Sequence, residues 1–221
     1  MTKDKFLNPL ENTNLFGLKN HFSTMVNMYK NDTFPKVLLL SGKKGSGKFT
    51  LVNHFLNFVF DRKLYDFENR RINSNSGIYL KILENTLKNI IFINHDEDRR
   101  AKIEDIRTLK SLLSKTMIND QPRFIVIDNV EQLNHNSLNS LLKIIEEPSN
   151  VNNFILIDNQ QDKLLETLAS RCIKINIFLS VVEKKEIINQ LVSKNSIEVR
   201  IDPNNYDLLP GIFLNFNNLC I

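Results

Sequence analysis

The sequence predicts an α/β fold, a five-stranded parallel sheet between layers of helix, followed by a smaller helical portion. Three observations predict it. Five short apolar runs alternate with longer segments of helical periodicity, the pattern of parallel strands buried on both faces. The first run passes directly into a glycine-rich turn and then an amphipathic helix. Beyond residue 180 the strand-like runs stop.

Taken in order, residues 1–13 are polar and carry Pro9, which predicts an extended arm. Leu15, Phe16, Leu18, Phe22, Met25, Val26 and Tyr29 recur at helical spacing and predict a helix ending near Asn31, broken by Phe34-Pro35. Val37-Leu38-Leu39-Leu40 is the first strand, and the helix after its turn runs from Thr50 to about Phe60. Residues 61–76, charged and aromatic, match neither period; Ile78 to Leu87 predicts a short helix. Ile90-Ile91-Phe92-Ile93-Asn94 is the second strand, followed by the polar cluster His95-Asp96-Glu97-Asp98. A helix then places Ile103, Ile106, Leu109, Leu112 and Leu113 on one face. Arg123 to Asp128 is the third strand, His135 to Glu146 a helix, Phe154 to Ile157 the fourth strand and Ile173 to Ile177 the fifth. Val181 to Lys194 reads as a helix, and Asp202-Pro203 opens another with Pro at its first position. Pro210-Gly211 punctuates before a last apolar segment. The pattern stops mid-stride at Ile221, which reads as a truncated C-terminus.

Composition narrows the function classes. The 221 residues, 42% hydrophobic, suffice for one α/β domain with a small appendage. A net charge of +4, from 29 basic and 25 acidic residues, describes a mixed solvated surface and argues for no particular partner. Cys172 and Cys220 lie far apart with no histidine beside them, so neither a disulfide framework nor a zinc site is expected. No run is long enough to span a membrane and the charged start lacks a signal core, which points to a cytoplasmic protein.

The chemistry starts at Gly42-Lys43-Lys44-Gly45-Ser46-Gly47-Lys48. Glycines let the backbone curl around a phosphate, and the following helix aims its amides and positive dipole at it. Lys48 would reach the β- and γ-phosphates. The motif wants Ser or Thr next, as a Mg²⁺ ligand, and Phe49 stands there instead. Thr50 comes one residue late, rotated by about 100°. Asp128, closing the third strand, stands where a carboxylate holds Mg²⁺ through water. The next residue is Asn129, which can hydrogen-bond a water but cannot take its proton. Glu146 and Glu147 sit in the last turn of their helix against its dipole, which calls for a cationic neighbour or full solvation.

Ile125-Val126-Ile127-Asp128-Asn129-Val130-Glu131, Leu138-Asn139-Ser140-Leu141-Leu142-Lys143-Ile144-Ile145-Glu146-Glu147-Pro148, Phe154-Ile155-Leu156-Ile157 and Leu168-Ala169-Ser170-Arg171-Cys172 together resemble a known family. They are similar to the clamp loader subunits of bacterial DNA polymerase III, within that family most of all to the delta-prime subunits. Leu15-Phe16-Gly17 and Ile103-x-x-Ile106-Arg107 add to the resemblance, which covers residue 9 onward. It implies an AAA+ P-loop module over residues 1–178 and a helical lid over 179–221. It further implies that Arg171 is an arginine finger acting in trans on a neighbouring subunit's ATP, where position alone equally allows pairing with a surface carboxylate, and that Asp158 and Asn159 lie in the sensor 1 region, with Asn159 the better candidate because it adds no negative charge; Cys172 reads as a small buried residue. The nucleotide-binding set so assembled is Gly42, Gly45, Ser46, Gly47, Lys48, Thr50, Asp128 and Asn159. The implied partners are delta and gamma/tau type subunits and, through the complex, the sliding clamp and primed DNA. The cofactor to consider is ATP at a degenerate site.

Departures from the family pattern shape the expected function. Residues 61–88 hold neither Cys nor His, so the zinc module of many relatives is not expected; no Arg follows Pro210-Gly211-Ile212-Phe213 at the sensor 2 place; and the helical collar lies outside these 221 residues. The expectation is a stator without ATPase or polymerase activity of its own. An autonomous P-loop ATPase is the alternative.

Overall fold

The computed structural model describes residues 8–93, 103–113, 121–147, 149, 151–201 and 207–219. These form two compact units: Thr33–Gly42 with Asn85–Asn176, and Met1–Asp32 with Lys43–Glu84 and Ile177–Ile221.

The first unit holds the sheet. Its strands are β1 (Val37–Ser41), β2 (Ile90–Ile93), β3 (Arg123–Ile127), β4 (Asn152–Asp158) and β5 (Ile173–Asn176), all parallel, in the order β2-β3-β4-β1-β5. Val37, Leu39, Ile125, Ile127, Phe154 and Leu156 bury one sheet face under Ile106 and Leu109 of α4 (Ile103–Leu113) and Leu138, Leu141 and Ile145 of α5 (His135–Glu146). The residues of opposite parity, Leu38, Leu40, Phe124, Val126, Ile155 and Ile157, are no more than 1% exposed, which is why these runs are apolar throughout rather than alternating. β5 differs. It pairs only with β1, so it is an edge, and Ile173 is exposed. Between β4 and β5 the chain makes only the short helix α6 (Glu166–Ala169). The parallel register puts Ser41 opposite Asp158, and Ile127 opposite Leu156, so the carboxyl ends of β1, β3 and β4 line up.

The second unit packs α1 (Lys19–Lys30), α2 (Lys48–Phe60), α3 (Gly77–Leu83), α7 (Val181–Asn195) and α8 (Pro210–Leu219). Nearly every residue of α2 is buried, polar ones included. The Asn53 side-chain amide donates to the carbonyls of Pro9 and Leu10, and His54 lies 3.0 Å from both the Asn12 carbonyl and the Tyr65 hydroxyl. Those bonds overturn the expectation of an extended arm for residues 8–13: the chain turns there and buries Leu10. The segment 61–76 is folded around rings. Phe22, Phe58, Tyr65 and Phe67 pack with centroids 5.6–6.3 Å apart, and the Lys30 ammonium lies 4.8 Å from the Phe67 ring centre. Ser76 then caps α3, accepting from the Ile78 and Tyr79 amides while its hydroxyl donates to Asp61.

Ser180 and Glu183 form a capping box that starts α7 where the sequence predicts a helix. Gly17 sits at φ +63°, a conformation that favours glycine, and packs closely against the Ile187 side chain. One expectation fails: Pro210-Gly211 does not punctuate ahead of the last segment but lies inside the first turn of α8, with Pro210 as its first residue. His95 to Asp98, Cys220 and the helix expected at Asp202-Pro203 lie outside the described residues. Among the described residues no helix is long and apolar enough to cross a membrane.

Candidate functional site

Gly45, Ser46, Gly47, Lys48 and Thr50 belong to the helical unit; Gly42, Asp128, Asn159 and Arg171 belong to the sheet unit. In the loop, Gly45 (φ +87°) and Gly47 (φ +88°) adopt the left-handed conformation that only glycine takes freely, and Gly47 caps α2. This is the backbone of a phosphate cradle. Its lysine is turned onto the loop itself: Lys48 is 2% exposed, and its ammonium donates to the Lys43 carbonyl at 3.0 Å and to Ser46 Oγ at 3.4 Å.

The loop is also covered by α8. The Gly211 amide donates to the Gly45 carbonyl at 2.9 Å, and a Cβ on Gly45 would meet Ile212 Cγ1 at 2.9 Å and the Ile212 nitrogen at 3.0 Å. The match to Mg²⁺-nucleotide is therefore partial. The glycines and Lys48 suit an anion, while Phe49, 9% exposed, offers no oxygen to a metal. Among the described residues no group of three or more His, Cys, Asp or Glu side chains is placed to hold a metal ion.

In the sheet unit, Gly42 continues the β1–β4 ladder by donating to the Asp158 carbonyl at 3.2 Å. The strand tips carry a closed polar network. The Asn159 amide donates to Asp128 Oδ1 and Asn129 Oδ1, both at 2.8 Å, and the Asn129 backbone N–H donates to the same Asp128 oxygen at 2.8 Å. Asn129 is left-handed at φ +49°, which Asn tolerates better than most residues. The sensor 1 candidate and the metal-holding candidate are thus brought together, joined directly through hydrogen bonds. Next to them Ser41 donates to Asp158 Oδ2 at 2.6 Å and the Gln160 backbone N–H donates to Asp158 Oδ1 at 2.9 Å, so Asp158 is a structural acid.

Glu131 is the residue that sequence reasoning missed as a separate feature. It is 9% exposed, and neither carboxylate oxygen has a partner in hydrogen-bond geometry among the described residues, although the backbone N–H groups of Asn159 and Gln161 face it. Burial pushes its pKa up. An acidic residue three positions past a strand tip is the only signal the sequence gives, and it does not report burial.

Arg171 follows the last turn of α6 and precedes β5. Its Nε donates to Glu146 Oε1 at 2.9 Å, one terminal nitrogen lies 2.8 Å from the same oxygen as an ion pair, and its other terminal nitrogen donates to the Thr167 carbonyl at 2.7 Å. Arg171 is therefore the cationic neighbour that Glu146, at the end of α5, calls for. The two side chains are 40% and 45% exposed. Cys172 is half-buried; its thiol donates to the Leu168 carbonyl, and burial pushes its pKa up to about 11.

Comparison with known proteins adds the family. Residues 17–179 match the family described as DNA polymerase III, delta subunit. The chain is 29% identical over 206 residues to a putative replication factor C small subunit of Acanthamoeba polyphaga mimivirus, covering 86% of this chain and 55% of that one. To the DNA polymerase III subunit delta' of Bacillus subtilis it is 26% identical, covering 67% of this chain and 44% of that one. It spans about half the length of these relatives. Among solved structures, the Thermotoga maritima RuvB Holliday junction branch migration motor aligns with TM-score 0.54 and 18% identity over 96% of this chain and 65% of that one. That likeness is one of fold, and the fold is that of the P-loop AAA+ proteins.

Proposed function

Because the chain belongs to the DNA polymerase III delta subunit family and is delta-prime-like among clamp loader subunits, we propose that it acts as a stator of a clamp loader. In this role it does not turn over ATP. It stands beside a hydrolysing subunit of the gamma/tau type, together with a delta type subunit, and supplies Arg171 to the neighbour's ATP while the assembly loads the sliding clamp onto primed DNA in the cytoplasm. Residues 1–178 form the module that carries the finger, and 179–221 its lid.

The observation that carries this reading is the placement of Arg171. It sits in a short connection, 40% exposed, donating two hydrogen bonds within the chain and ion-paired to Glu146. A planar, partly exposed guanidinium suits phosphate charge that grows during phosphoryl transfer. The chain's own loop supports the non-hydrolysing half of the proposal. Lys48 is held by the Lys43 carbonyl, Phe49 stands in the metal-ligand place, and Asn129 replaces the residue that would polarise water. The autonomous ATPase reading rests on the cradle conformation of Gly45 and Gly47 alone.

The test is Arg171→Ala in the protein reconstituted with its partner subunits, following DNA-dependent ATP hydrolysis and clamp loading. A finger is worth roughly 10³–10⁵ in rate at the site it serves. Sites served by other subunits keep working, so total turnover falls in part, with nucleotide affinity little changed. Arg171→Lys should fare little better, since a point charge cannot match the fork. An assembled complex with both activities intact would show Arg171 to be a surface ion-pair residue.

A further inference from the structure

We infer that Glu146 is a positioning residue for Arg171, and that the pair forms one presenting device built from the end of α5 and the connection before β5. The inference rests on the proposed trans-acting role of Arg171. Its evidence is the shape of the contact. Nε donates to Glu146 Oε1 at 2.9 Å, a terminal nitrogen lies 2.8 Å from the same oxygen as an ion pair, and the other terminal nitrogen donates to the Thr167 backbone carbonyl at 2.7 Å. Two anchors on opposite sides of a planar group fix its plane and its direction. A guanidinium held in this way can meet a phosphate oxygen with its remaining N–H groups.

The energetics favour positioning over stability. With both partners about half-exposed, an ion pair of this kind contributes little to folding. Glu146 is also poorly placed for its own helix, as a carboxylate at the C-terminal end of α5. A residue that costs its helix something and adds little to stability has its use in what it holds. An unrestrained arginine would have to be ordered at each encounter with the neighbour's nucleotide, whereas Glu146 orders it beforehand. Glu147, the next residue, is exposed and, among the described residues, neither hydrogen-bonds nor ion-pairs with Arg171, so it serves as the internal control.

The experiment is a double-mutant cycle in the reconstituted complex with its other ATP sites silenced, read as single-turnover ATP hydrolysis over a range of ATP concentrations. Glu146→Ala should lower the rate on the order of 2- to 12-fold, the equivalent of ordering one long side chain, at unchanged KM for ATP. Glu146→Gln keeps an oxygen acceptor and should restore most of the rate; Glu147→Ala should change nothing. In an Arg171→Ala background, Glu146→Ala should have no further effect. If Arg171→Ala leaves the rate intact, the finger reading falls and this inference with it. If Arg171→Ala is slow but Glu146→Ala is normal, or Glu146→Gln is as slow as Glu146→Ala, or the two losses add, the inference alone is overturned.

Discussion

At the scale of single residues, His54 shows how burial defines a protonation state. The Asn12 carbonyl can only accept, so Nε2 carries the proton and Nδ1 accepts from the Tyr65 hydroxyl. Burial, with a smaller contribution from Arg70, holds its pKa down at about 3. The sign follows. The unfolded chain takes up this proton near pH 6.5 and the folded chain does not, so the stability His54 contributes is complete above pH 6.5 and is lost as pH falls toward 3. The slope is about 1.4 kcal/mol per pH unit. Urea midpoints should therefore drop between pH 7 and pH 5, a window where ordinary carboxylates stay ionised. His54→Gln should flatten that drop; an equal slope in the variant would show the proton to be taken up elsewhere.

Among elements, the sharpest dependence is that of the glycine loop on α8. Gly45 has no room for a side chain, being bonded to Gly211 and packed against Ile212. Gly45→Ala combines a left-handed backbone penalty of about 1–2 kcal/mol with overpacking of about 1–3 kcal/mol. A loss of roughly 2–5 kcal/mol in urea unfolding is expected, and a loss below 1 kcal/mol would mean that α8 yields without cost. In the sheet unit, Asn134 caps α5 by accepting from the Ser137 amide at 2.8 Å. Asn134→Ala should cost about 0.5–2 kcal/mol. The effect should also reach Arg171, because α5 carries Glu146 at its other end.

For the whole molecule, each unit carries its own obstacle to turnover. The loop bonds its lysine to itself and lacks a metal-ligating hydroxyl, while Asp128 is already bonded to Asn159 and to the Asn129 amide. The isolated protein should show no Mg²⁺-dependent ATP hydrolysis above background, and Lys48→Ala should not change that. Measurable hydrolysis abolished by Lys48→Ala would instead favour the autonomous ATPase.

The sequence by itself determined the strands and most helices. The reason is local: buried parallel strands must be apolar on both faces, a cradle must have glycine where φ is positive, and helix periodicity reports which face is covered. Thus β1, the loop with Gly45 and Gly47, α5 and the Ser170-Arg171-Cys172 connection were legible from spacing and motif. The fold of residues 8–13 was not, because what bends that stretch is Asn53 and His54, more than forty positions away in sequence. Nor was the start of α8, whose Pro-Gly pair reads as a stop until the Gly211 amide is seen on the Gly45 carbonyl. The burial of Glu131, the Asn159–Asp128 bond and the Glu146–Arg171 pair were likewise decided by tertiary structure alone. Each joins segments that are distant in the chain or depends on solvent exclusion, and hydrogen bonds of that kind leave no periodic trace in a sequence.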